Sequence, residues 1–238
     1  GHKENTEALG FSERMKKMFH MKEKFAEIPE KEVLTEILQS DMENIRGTME
    51  SLDKDTFSMA AELIQNAKKI YIVGIRSCEP LADFLGFYLN MLFDEVHVVR
   101  TNSASEIFEQ LMRIGAGDVL IGISFPKYSM RTVKAMELAN SRSAGVISIT
   151  DSIHSPLNLY SSCNLIARSE MASVVDSLTA PLSVINALIV ALCLKNQDSL
   201  KQSIETLDQL YDDYQIYGRD EMDPSGGEIE IFHQGSRV

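Results

Sequence analysis

Apolar positions in this chain follow two rhythms. Leu34, Ile37, Leu38, Met42, Ile45 and Met49 recur every three or four residues and mark a long amphipathic helix. A second helix runs from about Asp55, taken as its N-cap, through Phe57, Ala60, Ala61, Ile64 and Ala67. Beyond that, short apolar runs alternate with helical patterns. Lys69–Gly74 reads as the first strand, Pro80–Phe93 as its helix and Glu95–Arg100 as the second strand. Ser103–Ile114 is the next helix, with Glu106 three residues after Ser103 in a capping-box pattern and Gly115 and Gly117 as stops. Val119–Ile123 and Val146–Thr150 are strands three and four, joined by a helix carrying Val133, Met136, Glu137, Ala139 and Asn140. Ser155 and Pro156 open a short helix as N-cap and first position, and Asn164–Ala167 is a fifth strand. Leu178–Leu194 is apolar nearly all round, which predicts a buried helix.

Strands separated by helices and short connections imply an α/β fold, a three-layer αβα sandwich with N-terminal helices. A five-stranded parallel sheet in the flavodoxin-like order 2-1-3-4-5 reverses direction between strands one and three. Ligands of such sheets bind there, outside the carboxyl ends. The turns at that place are Gly74-Ile75-Arg76-Ser77 and Ser124-Phe125-Pro126-Lys127-Tyr128-Ser129. The second puts two hydroxyls and several N–H groups at a helix start, where unpaired donors and the helix dipole favour an anion.

Composition narrows the classes. The formal charge of −12 argues against direct nucleic-acid binding by this piece, since a phosphate backbone demands basic surface. No run reaches the ~20 apolar residues of a membrane span, and no secretory signal opens the chain, so a cytoplasmic location is expected. Cys78, Cys163 and Cys193 lie far apart in apolar segments, which favours buried thiols over disulfides or a metal site. His2, His20, His97 and His233 lack metal spacing, and neither a dinucleotide fingerprint nor a Walker loop is present, so no metal or cofactor is expected.

The segments SDMENIRGT, IYIVGIRSCEPLADFLGFYL, ISFPKYSMRTVKAMELA and VISITDSIHSPL resemble the sugar isomerase (SIS) domain, and within it the effector domain of RpiR/MurR-type transcriptional regulators. The resemblance covers about Glu32 to Gly218. It implies a phosphosugar-binding domain over 32–218, a connector arm over 1–31 following an absent helix-turn-helix, and a loose tail over 219–238. Gly1-His2 is read as a tag remnant on a fragment.

SIS domains hold phosphate with a Ser after strand one, matched by Ser77, and a Ser-x-Ser-Gly-x-Thr turn, matched at its ends by Ser124 and Ser129. Pro126 and Lys127 replace the middle Ser and Gly, which removes one hydroxyl and adds a charge. Arg76 and Lys127 are candidate oxyanion clamps. Glu170, after strand five, is the expected sugar contact, with Ser173 and Ser177 approaching from the start of the last helix; capping explains Ser177 equally well. As a base for isomerisation, Glu170 would need a partner acid, for which His154 is the candidate. The expectation is therefore a non-enzymatic domain of a bacterial RpiR-type regulator that senses a phosphorylated sugar or amino sugar and reaches DNA through the missing domain. It would form a dimer or tetramer, with Leu34–Met49 and Leu178–Leu194 partly packed against a second subunit. A phosphosugar isomerase on the same fold is the alternative.

Overall fold

The computed structural model describes Lys16, Phe19, and residues 28–100, 103–170 and 175–214. Nearly all of the proposed arm, the whole proposed tail and Ser173 lie outside the described residues. Five strands, β1 (Ile70–Gly74), β2 (Val96–Val99), β3 (Val119–Ile123), β4 (Gly145–Thr150) and β5 (Cys163–Ile166), pair in parallel in the order β2-β1-β3-β4-β5. Every residue of β1 and β3 is buried, as expected of central strands covered on both faces.

Seven helices accompany the sheet among the described residues: α1 (Glu30–Ser51), α2 (Lys54–Gln65), α3 (Glu79–Leu89), α4 (Ala104–Gln110), α5 (Met130–Ser141), α6 (Thr179–Lys195) and α7 (Gln197–Tyr214). The core divides into two clusters, one per sheet face. Ile64, Leu85, Ile185 and Leu188 from α2, α3 and α6 meet Ile72 and Ile121 on one face. Ile107, Val133, Met136 and Ala139 from α4 and α5 meet Val73, Leu120 and Val146 on the other. The three-layer sandwich is as the apolar pattern predicts, and the strand order is the flavodoxin-like one assumed for it.

Three local expectations change. The cap of α2 is Asp53, not Asp55: its carboxylate accepts from the Thr56 N–H at 2.8 Å and the Thr56 hydroxyl at 2.6 Å, while Asp55 falls in the first turn. Both acids have a hydroxyl residue three positions on, Thr56 and Ser58, so spacing alone does not decide between them. Helices α3 and α4 end early, at Leu89 and Gln110, and the chain runs on in tight turns such as Leu92 N–H to the Leu89 carbonyl and Ile114 N–H to the Leu111 carbonyl. Helix α6 is not buried all round, since Val190 and Leu194 are 57% and 65% exposed.

Helix α1 is the amphipathic helix the spacing predicts. Its apolar stripe, Leu34, Leu38, Met42, Ile45 and Met49, faces outward, and its buried residues are Asn44, Gly47 and Thr48. The helix is seated through polar and small groups. The Arg168 side chain lies across Gly47 so closely that a Cβ there would sit 2.5 Å from its Nε. Thr48 Oγ1 accepts the Arg168 N–H at 2.8 Å. No single helix among the described residues is long and apolar enough to cross a membrane.

Candidate functional site

The turns after β1 and β3 leave the sheet side by side, because Gly74 and Ile123 are register partners at the strand ends. Gly74 is required here, since a Cβ would meet the Cys78 carbonyl oxygen at 2.4 Å. The Cys78 thiol bonds the Phe125 backbone, which ties the first turn to the second. Burial pushes that thiol up to about 11, so Cys78 is a structural tie and not a nucleophile.

Each turn bends through a basic residue in the left-handed region, Arg76 and Lys127, both at φ 57°. Non-glycine residues rarely adopt this conformation, and it costs about 1–2 kcal/mol per residue. Both side chains are exposed. Ser77 sits in the 3-10 turn Arg76–Cys78 and is exposed, whereas Ser124 is buried and Ser129 half-buried.

The hydroxyls are engaged within the chain. Ser124 Oγ accepts the Ser129 N–H at 2.9 Å, closing the turn, and Ser129 Oγ accepts the Thr132 N–H at 3.5 Å as the cap of α5. A hydroxyl that accepts one bond still has a proton to donate, so capping and anion contact are compatible for both. Ser77 donates its hydroxyl to the Asp176 carboxylate at 3.1 Å. Beside the second turn, Tyr128 donates its hydroxyl to Asp151 at 2.7 Å. Burial first, and the Asp151 bond second, push the phenol well above its ordinary range, so Tyr128 is a fixed donor at neutral pH.

Glu170 stands beyond β5 with its side chain exposed and its backbone clasped by Asn44 of α1. Asn44 Oδ1 accepts the Glu170 N–H at 3.1 Å, and Asn44 Nδ2 donates to the Glu170 carbonyl at 2.9 Å. The same amide donates to Ser177 Oγ at 3.1 Å, and Ser177 Oγ donates to Asp41 at 2.6 Å. Ser169 Oγ closes the cluster by donating to the Ser177 carbonyl at 2.8 Å. His154 is a turn residue whose N–H donates to Ser152 Oγ, and no hydrogen bond among the described residues joins it to Glu170.

The structure thus gathers Arg76, Ser77, Ser124, Lys127 and Ser129 at the carboxyl ends of β1 and β3, and holds the backbone of Glu170 at the exit of β5. Asp176, Asn44, Asp151 and Tyr128 belong to the same neighbourhood and were not singled out by the sequence. Of these, Asn44, Tyr128 and Asp151 lie within SDMENIRGT, ISFPKYSMRTVKAMELA and VISITDSIHSPL, whereas Asp176 carried no signal. A cleft of about 960 Å³ lies elsewhere, lined by Lys68, Ile70, Glu95, Ser203, Leu207 and Tyr211 among others, at the amino ends of the strands. It shares no residue with the two turns.

The doubly wound parallel sheet carries hydroxyl-bearing turns on both sides of its switch point, the place where ligands of such sheets bind. The SIS domain family model matches residues 63–191, more than half of the sequence, and the chain belongs to that family. An uncharacterized HTH-type transcriptional regulator of Caldanaerobacter subterraneus is 27% identical over 186 residues, which are 75% of this chain. The chain spans about 64% of that relative's length. The fold matches the sugar isomerase domain of an RpiR transcription factor from Sphaerobacter thermophilus with a TM-score of 0.70 and 23% identity, covering 74% of this chain and 97% of that one. It also matches the Vibrio vulnificus NanR protein complexed with ManNAc-6P, with a TM-score of 0.66 and 18% identity over 81% of this chain and 75% of that one.

Proposed function

We propose that this chain is the phosphosugar-sensing effector and dimerisation domain of an RpiR-type transcriptional regulator, acting in the bacterial cytoplasm. The observation that carries the reading is the pairing of two hydroxyl-bearing turns, each bent through a left-handed basic residue, at one end of the β1–β3 seam. The phosphate would contact Ser77, Ser124 and Ser129, with Arg76 and Lys127 supplying charge and the sugar extending toward Glu170 and Ser173. Phosphate favours such a place because charge-assisted hydrogen bonds are about twice as strong as neutral ones. The relative from Caldanaerobacter supports the regulatory role, and NanR supports a phosphorylated amino sugar as the class of ligand.

Binding without turnover is part of the proposal. Isomerisation needs a base and an acid placed on the same sugar, and the backbone, not the side chain, is what the protein holds at Glu170. The outward apolar stripe of α1, with Val190 and Leu194 of α6, supports a second copy of the chain as the partner. A ligand that binds one arrangement of the paired domains better than another would shift the arm before α1 and so the DNA reader attached to it. The test is calorimetric titration with hexose, hexosamine and pentose phosphates. Ser124→Ala is expected to cost about 1–3 kcal/mol of binding. Unchanged affinity would return Ser124 to its capping role, and aldose–ketose conversion abolished by Glu170→Gln would establish the isomerase instead.

A further inference from the structure

One contact at the site is not absorbed by the phosphosugar reading. Ser77 has a single hydroxyl proton and gives it to Asp176 at 3.1 Å. The carboxylate is an oxyanion, and so is the phosphate assigned to the same hydroxyl. The two cannot share one proton, and as like charges they repel at close range.

The residue next to Asp176 is fastened in the opposite direction. Ser177 donates to Asp41 at 2.6 Å and accepts from Asn44 at 3.1 Å, both on α1. Asn44 is 3% exposed, so these bonds are not readily exchanged for water. Two adjacent residues therefore bridge the first phosphate turn to the helix that carries the outward apolar stripe.

Resting on the reading of the turns as a phosphosugar site, we propose that Asp176 is a positioning residue that competes with the ligand phosphate for the Ser77 hydroxyl and passes the outcome through Ser177 to α1. When phosphate takes the hydroxyl, the carboxylate withdraws and Ser177 follows it. The seat of α1 on Asp41 and Asn44 then changes. No covalent step is involved; one acceptor replaces another on the same donor. Asp176 holds affinity below what the turns alone would give, and that difference is what couples occupancy to the helix.

The test is titration of the whole chain, wild type and variants, with hexose 6-, hexosamine 6- and pentose 5-phosphates and with inorganic phosphate. Asp176→Ala is expected to tighten binding on the order of tenfold, the scale of one exposed like-charge contact and one competing hydrogen bond. Asp176→Asn, which keeps an acceptor but not the charge, should fall between it and wild type. In the Ser77→Ala background the gain should shrink to what relief of the like-charge contact supplies, about threefold, because no hydroxyl is left to contest. Amide hydrogen exchange gives the second readout: ligand should alter exchange over 41–48 in wild type and not in Asp176→Ala. Urea unfolding confirms that each variant is folded. Wild-type binding with unchanged or weakened affinity in both Asp176 variants overturns this proposal and leaves the phosphosugar reading standing. An α1 response that persists in Asp176→Ala overturns the coupling. Absence of binding to every probe in every form sinks the site reading and this proposal with it.

Discussion

Replacing Asn44 by Ala tests whether α1 is held by polar contacts, as its buried face indicates. The side chain makes three hydrogen bonds, to the Glu170 N–H, the Glu170 carbonyl and Ser177 Oγ, and is 3% exposed. At about 0.5–1.5 kcal/mol each, their loss amounts to about 3 kcal/mol. Glu170 is exposed, so its freed backbone groups recover part of this from water. Alanine's better helix propensity returns a further ~0.5 kcal/mol. The net expectation is a loss of about 2 kcal/mol, seen as a lower urea midpoint with an unchanged slope at fixed protein concentration. For a chain of this size the melting temperature should fall by about 4–8 °C. Asn44→Asp, nearly isosteric, should be at least as damaging, because it removes both donated bonds and sets a second anion beside the acceptor of Ser177, Asp41. A loss below ~0.5 kcal/mol in both variants would refute the clasp, since three buried bonds cannot vanish so cheaply.

Three further outcomes follow from the same contacts. Gly74→Ala should destabilise by at least ~2 kcal/mol in urea unfolding, because its Cβ would press to 2.4 Å on a backbone carbonyl that has little room to move; a neutral result would mean the first turn is looser than described. Cys78 and Cys163 each have thiols raised from 9.0 to about 11 by burial, so their contribution to stability is complete below pH ~9 and is lost as pH rises toward about 11. Urea midpoints should decline over that window, and the decline should be shallower in Cys78→Ala/Cys163→Ala; an equal slope would assign it to other groups. Leu38→Glu with Met42→Glu should leave the fold intact and convert the proposed dimer to a monomer in sedimentation, since both side chains are more than half exposed; an unchanged mass would place the partner elsewhere.

The sheet was legible in the sequence because each central strand is an unbroken apolar run, IYIVG and VLIGI, that only burial on both faces explains. Caps were legible where one candidate stood alone, as with Ser103 and Ser155, and not where Asp53 and Asp55 competed. The stripe of α1 was visible, but periodicity cannot say whether an apolar face turns to its own core or to another surface. The two turns and their hydroxyls were found from strand order alone. Asp176 and Asn44 were not, because they meet Ser77 and Glu170 across 99 and 126 residues of sequence, and a single long-range polar contact leaves no period behind it. Tyr128 and Asp151 lay inside segments already singled out, but the bond between them joins two turns 23 residues apart and leaves no period either.

The most direct test of the central claim is thermal unfolding of the chain with phosphorylated sugars beside the same sugars without phosphate. A phosphosugar at 100 times its dissociation constant should add about 2.7 kcal/mol, or about 5–11 °C. The unphosphorylated sugars should add nothing, and Ser77→Ala/Ser124→Ala should abolish the shift. No stabilisation by any phosphosugar, or equal stabilisation of wild type and the double variant, would contradict the account.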